Sequence, residues 1–169
     1  MNDPGLAVDN ASLECLLRKQ AIQDHLLRLC QAIDNFDCET WADGFTNDCR
    51  YRMIPRENYD QGLPLCLIDD DRVGLLQRVK LITELWQYEP FRETRLLSNV
   101  LVTASSEDSA AAAATIAVYR TNSEGASHLH MVARIDDRLV HVPGQGWKIK
   151  ERLVILESFQ VHNNIILPV

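Results

Sequence analysis

FTNDCRYRM (Phe45–Met53) and PRENYDQGLPLCL (Pro55–Leu67), separated by Ile54, carry the reading of this chain. The first contains a short strand of alternating apolar and polar residues, over 49–54. The second holds two prolines, a glycine and leucines at 63, 65 and 67. Its Pro and Gly content argues against a helix. Its leucines argue against a loop standing free in water. Such a loop rests on something, either its own core or another chain. Arg56, Glu57, Tyr59, Leu63 and Leu65 are therefore candidate interface residues, since Arg and Tyr are enriched at interface hot spots. A lid closing one end of the fold is the equal alternative.

The 169 residues suit one domain that buries roughly 70% of its unfolded surface. Residues 1–11 are polar and read as a loose N-terminal segment, and 12–169 as a single domain. The net charge is −7. That balance argues against nucleic acid and against an anionic membrane surface, both of which call for clustered Lys and Arg. The opening MNDPGLAVDN has neither the basic nor the apolar region of a secretory signal. No apolar run approaches a bilayer span. The cytoplasm is the expected compartment. The five cysteines (15, 30, 38, 49 and 66) are widely spaced, and reduced thiols are expected. None begins a C-x-H, C-x-x-H or C-x-x-C. This chain alone is thus not expected to hold a Rieske cluster or a zinc ribbon.

Apolar residues at 13, 16, 17, 22, 26, 29, 30 and 33 predict a helix over Ser12 to Asp34. Asp37 is placed to cap a short helix through Trp41 and Phe45, with Gly44 near its end. Asp69, Asp70 and Asp71 put negative charge where a third helix begins. Val73, Leu76, Val79, Ile82 and Trp86 form that helix's expected face, with Pro90 beyond its end. The period then becomes two. Strands are predicted over 94–103, 110–120, 128–136 and 147–161, with turns at Ser123–Gly125 and Pro143–Gly146. The alanine run from Ala110 favours helix by propensity alone, but its continuation TIAVYRT favours strand. The predicted fold is α+β, with three N-terminal helices on one face of a curved antiparallel sheet.

These features in order resemble the ketosteroid-isomerase-like cone fold and, within it, the small (beta) subunit of the aromatic ring-hydroxylating dioxygenase family. The resemblance is carried by Trp41 and Phe45, Asp48 with Tyr51, the Pro55–Leu67 loop and Asp70 to Arg72. It continues through Arg95 with Ser98-Asn99-Val100, GWKIKERLVILES (Gly146–Ser158) and Leu167-Pro168-Val169. The loop looks most like that of salicylate 5-hydroxylase small subunits. The resemblance implies a partner, a large (alpha) subunit holding a Rieske [2Fe-2S] cluster and mononuclear Fe(II), in an α3β3 hetero-hexamer. Electrons would come from NAD(P)H through a reductase and ferredoxin. It implies an assembly role for this chain, with no cofactor or catalytic residue of its own.

A second class of function stands beside that one. Cone folds outside the oxygenases enclose a pocket with an Asp or His base, as in stand-alone isomerases, dehydratases or cyclases. Asp34, Tyr51, Arg95 and His130 are the pocket candidates under this alternative. The plainer reading gives Asp34 the end of a helix, Tyr51 a satisfied hydroxyl and Arg95 a carboxylate partner. His128 and His130, two apart on a strand, would need His141 or a carboxylate to bind metal. A cross-strand histidine pair is the simpler expectation. Trp41, Phe45, Trp86 and Trp147 read as core or interface aromatics. Lys148, Lys150, Glu151 and Arg152 read as one solvated strand face.

Purified alone, the chain is expected to be colourless and to bind no stoichiometric iron. Metal analysis finding about one iron per chain, lost on changing His128 and His130 together, would contradict this.

Overall fold

The Asp9 carboxylate accepts from the Ser12 amide at 2.6 Å and caps helix α1, Asn10–Asp34. The helix thus starts two residues ahead of the expected Ser12. The computed structural model describes residues 9–85, 87–158 and 165–169, so most of the expected loose N-terminal segment lies outside it. Ile22, Leu26, Leu29 and Ile33 of α1 enter the core, whereas Leu13, Leu16 and Leu17 are exposed. At 3.6 residues per turn these two sets fall on opposite sides of the helix. The apolar residues that predict the helix thus form two stripes, one buried and one exposed.

Asp37 caps α2, Cys38–Asp43, by accepting from the Thr40 amide at 3.1 Å. Gly44 follows because space demands it. A Cβ there would lie 2.3 Å from Leu29 Cδ2. Strand β1, Phe45–Pro55, begins four residues before the expected 49. The loop after it contains a helix that its prolines argued against, α3, Arg56–Asp60. RENYD lies wholly between Pro55 and Gly62, and a proline just before a helix sacrifices no helical hydrogen bond.

All three aspartates expected at a helix start lie in strand β2, Ile68–Asp71, antiparallel to β1. Asp71 does cap the next helix, α4, Arg72–Lys80, by accepting from Gly74 N at 2.9 Å. One π-helical turn, Leu81–Leu85, continues it. The buried face is Leu75, Val79 and Ile82, while Val73 and Leu76 are exposed. A run of i, i+3 steps slips about 60° per step around a helix, so the expected series could not stay on one face. Trp86 lies outside the described residues.

Four long strands follow: β3 (Phe91–Ser105), β4 (Ser109–Asn122), β5 (Ser127–Val142) and β6 (Gly146–Leu156). The sheet order is β2-β1-β6-β5-β4-β3. All neighbours are antiparallel except β1 and β6, which are parallel. The last strand stops at Leu156; the expected end at Val161 lies outside the described residues. The alanine run is strand because it pairs on both sides, and Ala110, Ala112 and Ala114 turn inward. The result is an α+β cone, with helices on the inner face of a curved, mainly antiparallel sheet. Among the described residues no helix is long and apolar enough to cross a membrane.

Two bulges reset the alternation. Val118 pairs with Met131 and Tyr119 with Leu129, which leaves His130 as an extra residue in β5. Arg138 pairs with Glu151 and Leu139 with Ile149, which leaves Lys150 extra in β6. His130 and Arg152 consequently both turn inward. Arg152 is thereby removed from the solvated face expected for it.

Gly44→Ala is expected to destabilise the fold by about 1–3 kcal/mol through overpacking against Leu29. In a denaturant double-mutant cycle with Leu29→Ala, the two effects should be less than additive. Strict additivity would contradict the contact.

Candidate functional site

The inner end of the cone is charged. Asp34 is the last residue of α1, and Arg95 projects inward from β3. Arg95 Nη1 donates to Asp34 Oδ1 at 2.5 Å, and its backbone amide donates to Oδ2 at 2.9 Å. Its Nη2 donates to Glu93 Oε2 and to the Pro168 carbonyl, both at 2.8 Å. Glu93 in turn accepts from Arg120 Nε at 3.0 Å and Nη2 at 2.6 Å. Arg120 lies over the Phe91 ring, 4.4 Å from its centroid. Two carboxylates face two guanidiniums, so the cluster is neutral, the condition under which charge is tolerated in a core.

His130 Nε2 is 3.9 Å from Glu93 Oε1. Burial, and then the Arg120 charge, pull its pKa from 6.5 to about 4. The ring is therefore neutral at pH 7. His128 stands edge-on to it at the rim, 6.4 Å between centroids. His141 packs instead on Trp147 near the far end of β5, 5.3 Å between centroids. The three histidines are not brought together, and the described residues contain no group of three possible ligands.

A second neutral pair lies deeper. Arg152 donates to Asp137 through Nε (2.8 Å) and Nη2 (2.7 Å), a bidentate cross-strand pair. Burial alone would lower the Arg152 pKa, but Asp137 outweighs it and holds the guanidinium up. Arg152 Nη1 also donates to the Val169 carbonyl at 3.1 Å. The Val169 amide donates to the Tyr51 hydroxyl at 3.1 Å. Burial raises the Tyr51 phenol pKa, and Trp41 and Phe45 enclose its ring.

Asp34 and Arg95 thus share one network, His130 lies beside it with neither ring nitrogen hydrogen-bonded among the described residues, and Tyr51 belongs to its neighbour. Residues 167–169 join the two, and the Leu167 and Val169 side chains are buried in the hydrophobic core. Both Asp34 oxygens are engaged by Arg95. Glu93, Arg120 and Asp137, which complete the networks, were not among the sequence candidates. A signal existed for two of them. Glu93, Arg95 and Leu97 share one strand face, as do Ile116, Val118 and Arg120.

The loop candidates lie elsewhere, on the outside. Arg56 forms a bidentate ion pair with Glu157 of the same chain, Nε to Oε2 at 2.7 Å and Nη2 to Oε1. Its guanidinium lowers the Glu157 pKa. Leu63 N donates to the Asn58 carbonyl at 2.8 Å, and Asn58 Nδ2 to the Leu65 carbonyl at 3.0 Å. The loop is therefore braced, yet Glu57, Tyr59, Leu63, Leu65 and Leu67 are exposed, Leu65 to 63%. Its leucines do not rest on the chain's own core.

Burial pushes the Cys30, Cys38 and Cys49 thiols up.

Residues 28–163 match the ring hydroxylating beta subunit family, and the chain belongs to it. It is 27% identical over 138 residues to the anthranilate 1,2-dioxygenase small subunit of Burkholderia cepacia, covering 81% of this chain and 85% of that one. A solved structure assigned to the beta subunit of an aromatic-ring-hydroxylating dioxygenase of Novosphingobium aromaticivorans superposes with TM-score 0.81. It is 24% identical and covers 92% of this chain and 99% of that one. A structure assigned as a scytalone dehydratase, from the same organism, superposes with TM-score 0.66 at 18% identity, covering 89% and 94%. The cone fold is therefore common to proteins of different chemistry.

His130 generates a pH prediction. Its folded pKa lies below its unfolded value, so its contribution to stability is complete above pH 6.5 and is lost as pH falls toward 4. His25, also lowered to about 4 by burial, and then by Arg152, acts in the same direction. The melting temperature should fall through this window, and His130→Asn should flatten part of the fall. An identical pH profile for the variant would contradict the burial of a neutral ring.

Proposed function

We propose that this family member is the small subunit of the terminal oxygenase of a multicomponent aromatic ring-hydroxylating system. Its role is assembly beside a catalytic large subunit, in an α3β3 hetero-hexamer working in the cytoplasm. The large subunit carries the Rieske cluster and the mononuclear iron. NAD(P)H supplies electrons through a reductase and ferredoxin. The observation that carries this reading is the braced loop with its leucines turned outward, a surface shaped to be covered by another chain. The charge pairing of the interior supports it from the other side, since both Asp34 oxygens accept hydrogen bonds from Arg95.

The proposed substrate class is a substituted benzoate such as salicylate. Two observations favour it: the likeness of the Pro55–Leu67 loop to salicylate 5-hydroxylase small subunits, and the relative named for anthranilate. Anthranilate, like salicylate, is an ortho-substituted benzoate. Ring position and the number of oxygen atoms inserted are decided in the large subunit's pocket.

Co-expression with its large subunit should yield an equimolar complex. Tyr59→Ala and Leu65→Ser should each weaken it, by roughly thirtyfold if the position is a hot spot, with little change in the isolated chain's melting temperature. Arg56→Ala should act in the same direction and also release Glu157. Light scattering that finds a clean monomer with no affinity for the large subunit would overturn the proposal. Unchanged affinity in all three variants would remove the loop from the interface.

A further inference from the structure

A cavity of about 450 Å³ lies at the rim, beside His128. Tyr88, Phe91 and Ile166 give it apolar surface, and Glu89, Arg120 and His128 give it polar surface. The Tyr88 and Phe91 rings are 5.3 Å apart between centroids, and Phe36 packs on both, at 6.5 and 5.8 Å. The three rings brace one another into an aromatic wall. A cavity of this size, with aromatic surface and a few polar groups, has the make-up of a small-molecule site.

Charge selects among the ligands that would fit. Glu93 gives Oε1 to Arg120 and Oε2 to Arg95, so one carboxylate serves two guanidiniums. Asp34, the other carboxylate of that cluster, is bonded to Arg95. Arg120 is buried, its guanidinium 4.4 Å from the Phe91 centroid, whereas Glu89 is exposed. A charge shielded from water acts more strongly than a hydrated one. The balance at the cavity wall is therefore positive and favours an anion. A flat apolar wall beside a fixed cation complements an aromatic ring that bears a carboxylate.

The layer behind this wall also has hydrogen-bonding capacity to spare. His130 stands edge-on to His128, 6.4 Å between centroids. Neither of its ring nitrogens, nor Arg95 Nε, has a hydrogen-bond partner among the described residues. Buried groups left in that state are costly, and a ligand oxygen with its accompanying water can relieve them.

We infer that the rim cavity is a binding site for a single-ring aromatic carboxylate, its ring against Tyr88 and Phe91 and its carboxylate toward Arg120 and His128. The site belongs to this chain alone and does not depend on the proposed function.

The full chain without its partner is titrated with three probes, followed by calorimetry and by backbone amide NMR shifts. Benzoate should bind saturably, with a Kd on the order of 1 mM, and should shift the amides of Tyr88, Phe91, Arg120 and His128. Benzamide keeps the shape and lacks the charge, and cyclohexanecarboxylate keeps the charge and lacks the flat ring. Each should bind about tenfold more weakly than benzoate. Tyr88→Ala should weaken benzoate by about tenfold, the loss of one aromatic contact. Glu89→Gln should tighten it by about two- to fivefold, since an exposed like charge is removed. Glu89 and His128 are exposed, so Glu89→Gln and His128→Ala test the site even if Tyr88→Ala unsettles the ring cluster. His128→Ala should weaken benzoate. Benzoate that shifts no amide saturably, or shifts only amides remote from the rim, would overturn the inference. So would benzamide binding as tightly as benzoate, or affinities unchanged in both Glu89→Gln and His128→Ala.

Discussion

A fully buried guanidinium, that of Arg95, holds three separate parts of this molecule at one point. It reaches the end of α1 through Asp34, its own strand through Glu93, and the 167–169 segment through the Pro168 carbonyl. A charge in that position is tolerable only if it is paired and hydrogen-bonded. The helix end, the strand and the segment therefore have little freedom to move apart. Glu93 extends the constraint to β4 through Arg120. The Arg152–Asp137 pair repeats the arrangement between β5 and β6, and Val169 bridges it to Tyr51.

The likeness to a structure assigned as a dehydratase marks how little the fold alone decides. Here the inward carboxylates Asp34, Glu93 and Asp137 are bound to guanidiniums, and Leu167 and Val169 are buried in the core. Apolar side chains face water at the loop and along α1, where other chains can cover them. Under the proposed function this subunit contributes shape and surface, and the oxygen chemistry belongs to its partner.

Periodicity and punctuation made much of the architecture legible. Asp37, Gly44, Gly125 and Gly144 mark ends and turns that the structure contains. The α+β order and the β identity of the alanine run were also legible, because neighbouring strands outweigh propensity. Three things were not. Bulges at His130 and Lys150 reverse which face a residue occupies, and nothing local announces them. The two stripes of α1 look like one when leucines are merely counted. The ion networks join residues as far apart as Asp34 and Arg95, and each partner alone reads as an ordinary polar position. Family resemblance carries the fold and the partner class more directly than any of these patterns, but it does not by itself say what the interior does.

Turnover of the assembled oxygenase carrying Asp34→Asn tests that interior role most directly. The substitution keeps the shape of the side chain and removes the charge opposite Arg95. The account predicts a lower melting temperature for the isolated chain, with turnover per intact complex near that of the wild type. Turnover falling by about a hundredfold or more in an intact complex, the loss expected of a general base, would contradict it and give this subunit a part in the chemistry.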